Sequence, residues 1–503
     1  MIPASSRWRG DALALAAGAA LPLAFAPFNL YPLAVLCAAL LFATWRGVGP
    51  RRALWRGWLF GLAQFGLGVS WVYVSMHDFG GVSAALSVAL TALLVVVLAV
   101  FPALAGYLAV RLTQRGAAST SALLLVFPAV WTLIEWVRGW FLTGFPWLNL
   151  GYSQSDAPLA GLAPLAGVYA VSLAVAASGA LLLAAFERGR GGFRPRYLIL
   201  LAVLWLAAGL GGGVEWTQPE GEPLRVSLVQ GNVSQDMKWQ PGMLEPTVAL
   251  YQELTRAHWD SDLIVWPETA MPMYYLQARP YLDALGAEAR AHGTALLIGL
   301  IYMEAASDAY YNSMVSVGGE HDGYQVYHKH HLVPFTEYLP LKAALAGLVD
   351  FMNVPMSDFS AGPAVQAPFK VAGQRVGMSI CYEDAFGEEM IRRLPEATLL
   401  VNVSNDAWFG RSVAPFQHLQ IARMRAIETG RPLLRATNTG VSALIGHRGE
   451  LLGASPQFKV HVLSGEVQPR QGATPYVQVG NAAFLVLAGV MLGLGVLMVR
   501  REV

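Results

Sequence analysis

Before residue 214 the chain runs through seven long apolar stretches, near 11–28, 30–45, 55–76, 84–110, 120–140, 158–186 and 196–213, and it meets its first lysine only at Lys238. An eighth stretch, near 479–499, contains FLVLAGVMLGLGVLMV. A helix needs about 20 apolar residues to cross the ~30 Å hydrocarbon layer of a bilayer. The pattern therefore predicts a polytopic α-helical membrane domain of about eight spans. Only 18 charged side chains fall in residues 1–213, although the whole chain carries 34 basic and 33 acidic residues. With 55% hydrophobic and 13% charged residues the chain is no disordered polymer. A net charge of +1 offers no basic excess for nucleic acid, and two cysteines exclude a disulfide scaffold.

Arginine placement predicts orientation. Arg7 and Arg9, then Arg46, Arg51, Arg52 and Arg56, then Arg111 and Arg115, then Arg188, Arg190, Arg194 and Arg196, and finally Arg500 and Arg501 all fall on alternate connections. The opposite short loops, near 29, 77–83 and 141–157, have neither Lys nor Arg. Under the positive-inside rule both termini are then cytoplasmic, and 214–478 lies outside the cytoplasm. The basic residues before the first stretch also suit a signal peptide, but six further apolar stretches follow, so it reads as a retained anchor. The predicted organisation is a membrane domain over 1–213 with seven transmembrane helices, an exported domain over 214–478, and a last helix with its tail over 479–503. Glu135 and Arg138 lie three apart on the fifth stretch, either facing a wet cavity or forming a structural pair. The aromatic loop 143–152 suits a headgroup-level belt.

Residues 220–470 alternate between short β-like runs and helical patterns. The runs are 224–230, 263–266, 295–300, 375–381, 398–404 and 433–438; helices are expected near 244–259, 279–292, 385–393 and 415–429. That alternation argues α/β layering.

Three positions carry chemistry. Cys381 ends an apolar run and is the one cysteine of this domain; Cys37 lies in a membrane stretch. It is either an inert buried thiol or a nucleophile, and a following helix N-terminus would favour thiolate. Glu268, after the run 263–266, is either a base or a helix-start acid. Lys329 sits in His328-Lys329-His330-His331, whose three histidines are too closely spaced to converge on one ion, so no metal and no cofactor is expected.

Taken together, Trp266-Pro267-Glu268, Lys329 and Cys381-Tyr382-Glu383 resemble the Glu-Lys-Cys triad of the nitrilase superfamily, an αββα sandwich. Gln230-Gly231-Asn232 and Asn405-Asp406-Ala407-Trp408-Phe409-Gly410 match as well. With apolar spans around such a domain, the chain resembles the apolipoprotein N-acyltransferases of the Gram-negative inner membrane, including the loop FPWLNLGYSQ at 145–154. That resemblance implies transfer of an acyl chain from a membrane phospholipid, through a cysteine thioester, to the N-terminal amine of a diacylated apolipoprotein. It implies Glu268 as general base, Cys381 as nucleophile, and Lys329 with the Tyr382 N–H as oxyanion donors. Glu337 would orient Lys329. Trp239, Asn312, Tyr382, Glu383 and Trp147 would be supporting or substrate-binding positions. It also implies a multi-pass protein of the cell inner membrane with a periplasmic catalytic domain, acting as a monomer. The apolar stretch Leu339–Met356 is a candidate lid. Competing readings are a membrane-tethered amidohydrolase with the same triad and a non-enzymatic binding module.

Overall fold

The structure, a computed structural model, describes residues 7–113, 119–186, 193–235, 237–240, 242–304, 307–319, 323–339 and 358–502. By contacts it divides into two units: 1–73, 83–214 and 478–503 in one, 74–82 and 215–477 in the other.

The first unit is helical: Arg7–Ala20, Pro32–Trp45, Pro50–Gly68, Ala84–Leu112, Phe127–Arg138, Ala163–Phe186, Pro195–Gly211 and Ala482–Glu502. Among the described residues three helices are long and apolar enough to cross a membrane: Ala84–Leu112, Pro158–Phe186 and Ala482–Arg501. A fourth qualifies if Pro50–Gly68 and Trp71–Phe79 are one bent span; Pro32–Trp45 and Pro195–Gly211 are apolar but shorter. Small residues let these helices touch along their backbones, as is common where lipid supplies no hydrophobic drive between helices. A Cβ at Gly57 would come within 2.2 Å of the Pro102 carbonyl oxygen, and one at Gly106 within 2.6 Å of that of Ala53.

Glu135 and Arg138 are both buried and act as fasteners for the aromatic loop. Glu135 Oε1 accepts from Trp131 Nε1 at 3.1 Å and from the Leu150 N–H at 3.0 Å. Arg138 donates to the carbonyls of Phe145 and Trp147 at 2.7 and 2.6 Å and to Asn149 Oδ1 at 2.6 Å. Trp147 and Tyr152 are buried in this unit rather than presented as a belt. Trp147 packs against Trp71 and Phe145, with ring centroids 5.5 and 6.0 Å away.

In the second unit a period-2 alternation builds two six-stranded sheets. One runs in the order 461–467, 224–230, 263–265, 295–304, 309–318 and 326–328. The other runs 451–454, 443–445, 433–437, 399–404, 374–380 and 369–371. Val226, Leu228, Leu263, Val265 and Leu297 of the first meet Val376, Met378, Ile380, Leu399, Val401 and Val403 of the second in one buried core. The alternate residues face outwards. Val229, Ile264, Leu296 and Ile298 pack under helices Leu244–Arg256 and Tyr275–His292. Leu400 and Leu433 pack under Ala414–Thr429. The layers are helix, sheet, sheet, helix. Parallel pairing holds among 224–230, 263–265 and 295–297 and among 374–380, 399–404 and 433–437.

Two expectations need correction. The helix expected near 385–393 is only a turn of helix, Gly387–Met390, followed by a 3-10 turn, Ile391–Arg393. The ten-residue strand Ala309–Gly318 was not foreseen; it pairs antiparallel with Ala295–Glu304 along its whole length. The short loop expected near 77–83 belongs with this unit: Ser75 Oγ donates to the Trp408 carbonyl at 2.8 Å. Of the candidate lid, 340–356 lie outside the described residues.

Candidate active site

Glu268 leaves the strand Leu263–Val265 through a turn in which Thr269 has φ 49°. Trp266, fully buried, anchors that exit by donating from Nε1 to Thr255 Oγ1 at 2.8 Å. The neighbouring strand must carry glycine here. A Cβ at Gly299 would lie 2.4 Å from the Pro267 carbonyl oxygen and 3.0 Å from Glu268 Cα. The carboxylate is held by neutral donors: Asn312 Nδ2 at 2.7 Å on Oε1, and the Asn405 N–H at 2.8 Å on Oε2.

Lys329 follows the strand Val326–His328, and its own N–H donates to the Asn312 carbonyl at 2.8 Å. Its side chain is 1% exposed. Nζ lies 2.9 Å from Glu337 and 3.8 Å from Glu268 Oε1. Burial opposes the charge, but Glu337, then Glu268 and Cys381, outweigh it and hold the ammonium well above the usual lysine range. Glu337 is itself oriented by Asn312 Nδ2 at 3.1 Å and by the Val333 N–H at 2.8 Å.

Cys381 follows the strand Gln374–Ile380 with φ 52°, a left-handed conformation that is unfavourable for a residue with a Cβ. The helix expected after it is a five-residue 3-10 turn, Cys381–Ala385. Burial pushes the thiol far above its ordinary range, and Glu268 adds to this, against the opposing pull of Lys329. That direction favours the protonated thiol.

The remaining candidates fall into distinct places. Glu383, 1% exposed, ties the lysine loop to the cysteine strand. It accepts from Tyr327 Oη at 2.9 Å, the His330 N–H at 2.7 Å and the Ile380 N–H at 2.7 Å. Tyr382 is buried, edge-on to His331 and Phe386 with centroids 5.7 and 5.0 Å away. Trp239 is exposed. Its neighbour Lys238 is buried, which pushes its ammonium down to about 8 against the attraction of Glu268. The three histidines turn to different partners: His328 to Ser313, His330 to the Gly362 carbonyl and His331 to Glu389. Trp147 belongs to the helical unit.

Sequence reasoning assigned no role to Asp384, Asn402, His418 and Arg435 behind the cysteine, each no more than 1% exposed, and quoted Asp406 there only as part of a motif. A visible signal was Arg435, a charge in the apolar run 433–438.

A carboxylate, an ammonium and a thiol at three strand exits of a two-sheet sandwich define a carbon–nitrogen hydrolase class of domain. A family model described as carbon-nitrogen hydrolase matches residues 225–476, and one described as the apolipoprotein N-acyltransferase N-terminal domain matches 17–181. A relative from Methylococcus capsulatus, named Apolipoprotein N-acyltransferase, is 49% identical over 470 residues, 93% of this chain and 92% of its own. Relatives of the same name from Nitrosomonas europaea and Pseudomonas putida are 47% and 46% identical, covering 95% and 97% of this chain and 95% and 96% of theirs. The chain belongs to the apolipoprotein N-acyltransferase family.

Proposed function

We propose that this protein N-acylates lipoproteins in two steps. In the first, Glu268 takes the thiol proton of Cys381 as the sulfur attacks an ester carbonyl of a membrane phospholipid. Lys329 and the Tyr382 N–H stabilise the tetrahedral oxyanion, the C–O bond breaks, and Glu268 returns the proton to the leaving lysophospholipid. In the second, the free α-amine of a diacylglyceryl-cysteine attacks the thioester and Glu268 accepts its proton. The N-acyl lipoprotein leaves and the thiol is restored.

The observation that carries this reading is Glu268, a carboxylate bonded by neutral donors 3.8 Å from the lysine ammonium, whose charge acts on the Cys381 thiol. Glu337 positions Lys329, and Asn312 links the two glutamates. Trp239, exposed beside Lys238, is assigned to substrate contact, and Trp147, buried against Trp71 and Phe145, to a supporting role.

The membrane part follows from the substrates. Both are lipid-anchored, and each CH₂ drawn out of the bilayer costs about 0.8 kcal/mol. The assignment is of 1–213 and 479–503 to eight spans in the inner membrane, 214–478 to the periplasmic side, and both termini to the cytoplasm, with a monomer as the working unit. Supporting it are the arginine asymmetry and the apolar helices.

Mass spectrometry of protein purified from membranes tests the reading. An acyl adduct on Cys381 that is discharged by a diacylated lipopeptide amine is expected. Discharge by water alone, with release of fatty acid, would make the protein a hydrolase; a Cys381 that never acquires the adduct overturns the nucleophile assignment.

A further inference from the structure

We propose that Asn402, His418 and Arg435 are positioning residues that aim the Tyr382 N–H at the developing oxyanion. The inference rests on the acyl-transfer reading above. Its starting point is the carbonyl of Cys381, which accepts from Asn402 Nδ2 at 3.1 Å and lies 3.3 Å from His418 Nε2. The peptide unit joining Cys381 to Tyr382 is planar, so its C=O and N–H point in opposite directions. Holding the carbonyl on one side of the chain fixes the direction of the Tyr382 N–H on the other.

Both anchors are themselves oriented. A guanidinium only donates. Arg435 Nη1, 2.6 Å from Asn402 Oδ1, therefore forces the amide oxygen towards itself and the NH₂ towards Cys381 O and Ser379 Oγ. His418 is gripped between two carboxylates, with Nε2 2.9 Å from Asp384 Oδ1 and Nδ1 3.4 Å from Asp406 Oδ1. The two carboxylates raise its pKa against burial and the Arg435 charge, which favours a ring with both nitrogens protonated. Arg435 closes the ring of charges, 3.3 Å from Asp384 Oδ2 and 3.1 Å from Asp406 Oδ2. Ser404 Oγ donates to Asp406 Oδ1 at 2.8 Å.

Arg435, His418 and the two carboxylates, all fully buried, make one charged cluster. Such clusters give little stability over a packed apolar core, because desolvation opposes the Coulomb gain. Here the cluster sits directly behind a nucleophile held at φ 52°. Without two donors on its carbonyl, that strained peptide could rotate towards an ordinary conformation and carry the N–H away from the reacting carbonyl.

The test uses the full-length protein in detergent micelles, with a phospholipid carrying labelled acyl chains. Asn402→Asp keeps the shape and the Arg435 partner but turns the donor facing Cys381 O into an acceptor. Acyl-enzyme formation should fall roughly 10- to 100-fold. The donor concentration at half-maximal rate should not move. Nor should alkylation of Cys381 by iodoacetamide, which forms no oxyanion. Unchanged acylation overturns the inference, and so does an equal fall in acylation and alkylation, which would mean the thiol itself is displaced. Should that variant not fold, His418→Gln and His418→Leu decide. The Gln amide can still donate to the carbonyl and should retain the faster acylation, whereas equal rates overturn the role. Wild-type protein that forms no thioester overturns the acyl-transfer reading, and this inference with it.

Discussion

Lys329 Nζ stands 3.8 Å from Glu268 Oε1, outside hydrogen-bond reach, because Glu337 holds the same ammonium at 2.9 Å. The lysine's field reaches Glu268 without locking it into a tight pair, and the carboxylate stays free to take a proton. On the proposed mechanism, Glu337 thereby sets which of the two glutamates serves as base.

Glu337→Gln should therefore let the ammonium swing towards Glu268. The base is then neutralised and the oxyanion donor misplaced. Acyl-enzyme formation should drop on the order of 10²-fold, with the thermal transition little changed. A normal rate of thioester formation in this variant would remove Glu337 from the machinery.

Gly299→Ala probes the exit of the Glu268 strand from behind. The new methyl would lie 2.4 Å from the Pro267 carbonyl oxygen and 2.6 Å from the Thr269 nitrogen, and neither atom can yield without moving Glu268. Overpacking of this kind costs about 1–3 kcal/mol, and a shift of about 1 Å in a catalytic group costs on the order of 10²-fold in rate. Tm and acyl-enzyme formation, measured together, check both effects; full activity would mean the strands separate without disturbing the carboxylate.

The raised thiol pKa sets a pH dependence. Below its pKa a thiol is mostly protonated, and each unit of pH raises the reactive thiolate about tenfold. Alkylation of resting Cys381 should thus climb steadily from pH 7 to 9 without levelling off, unlike that of a cysteine activated by a low pKa. A plateau near neutral pH would show that Lys329 outweighs burial. By the same logic Cys381→Ser should form no acyl-enzyme, since a hydroxyl is a still weaker acid for Glu268 to deprotonate.

The arginine asymmetry makes a topological prediction. A reporter fused after Val503 should behave as cytoplasmic, and one inserted near Gly221 as exported. The reverse pattern would place Cys381 on the wrong side for an exported lipoprotein.

On the proposed mechanism donor and acceptor both bring a reacting group against Cys381, so the lysophospholipid is expected to leave before the amine arrives. Initial rates at varied donor and acceptor should give parallel double-reciprocal lines, the mark of ping-pong order. Intersecting lines would require a ternary complex.

Much of the fold was legible because its signals are local. The runs 224–230 and 398–404 are apolar on both faces, as strands buried between a helix layer and a second sheet must be, and both appear within a residue of their expected ends. Glu268 and Cys381 stood out because one follows and the other ends such a run, whereas Lys329 was reached only through the resemblance. The strand Ala309–Gly318 was missed because it begins AYYNS, with partly exposed tyrosines, and is made a strand by its antiparallel partner. The chain's hydropathy likewise marks where apolar helices occur. The apolar stretches at 30–45 and 196–213 form the shorter helices Pro32–Trp45 and Pro195–Gly211.

Glu383 shows where local reading stops. Two residues from Cys381 in the chain, it reads as a neighbour of the reacting thiol. Its carboxylate instead bonds Tyr327 and the His330 N–H, more than fifty positions earlier. The same holds for His418, Arg435, Asp384 and Asp406, which share no spacing and meet only because strand 399–404 lies between 433–437 and the cysteine strand, under the helix Ala414–Thr429. Hydrophobic period and strand-end chemistry are properties of neighbouring residues, so the chain displays them directly. Which charge neutralises which is decided by strand order and burial: a lone charge in a dry interior is too costly to persist, and its partner must come from whichever segment the sheet brings alongside.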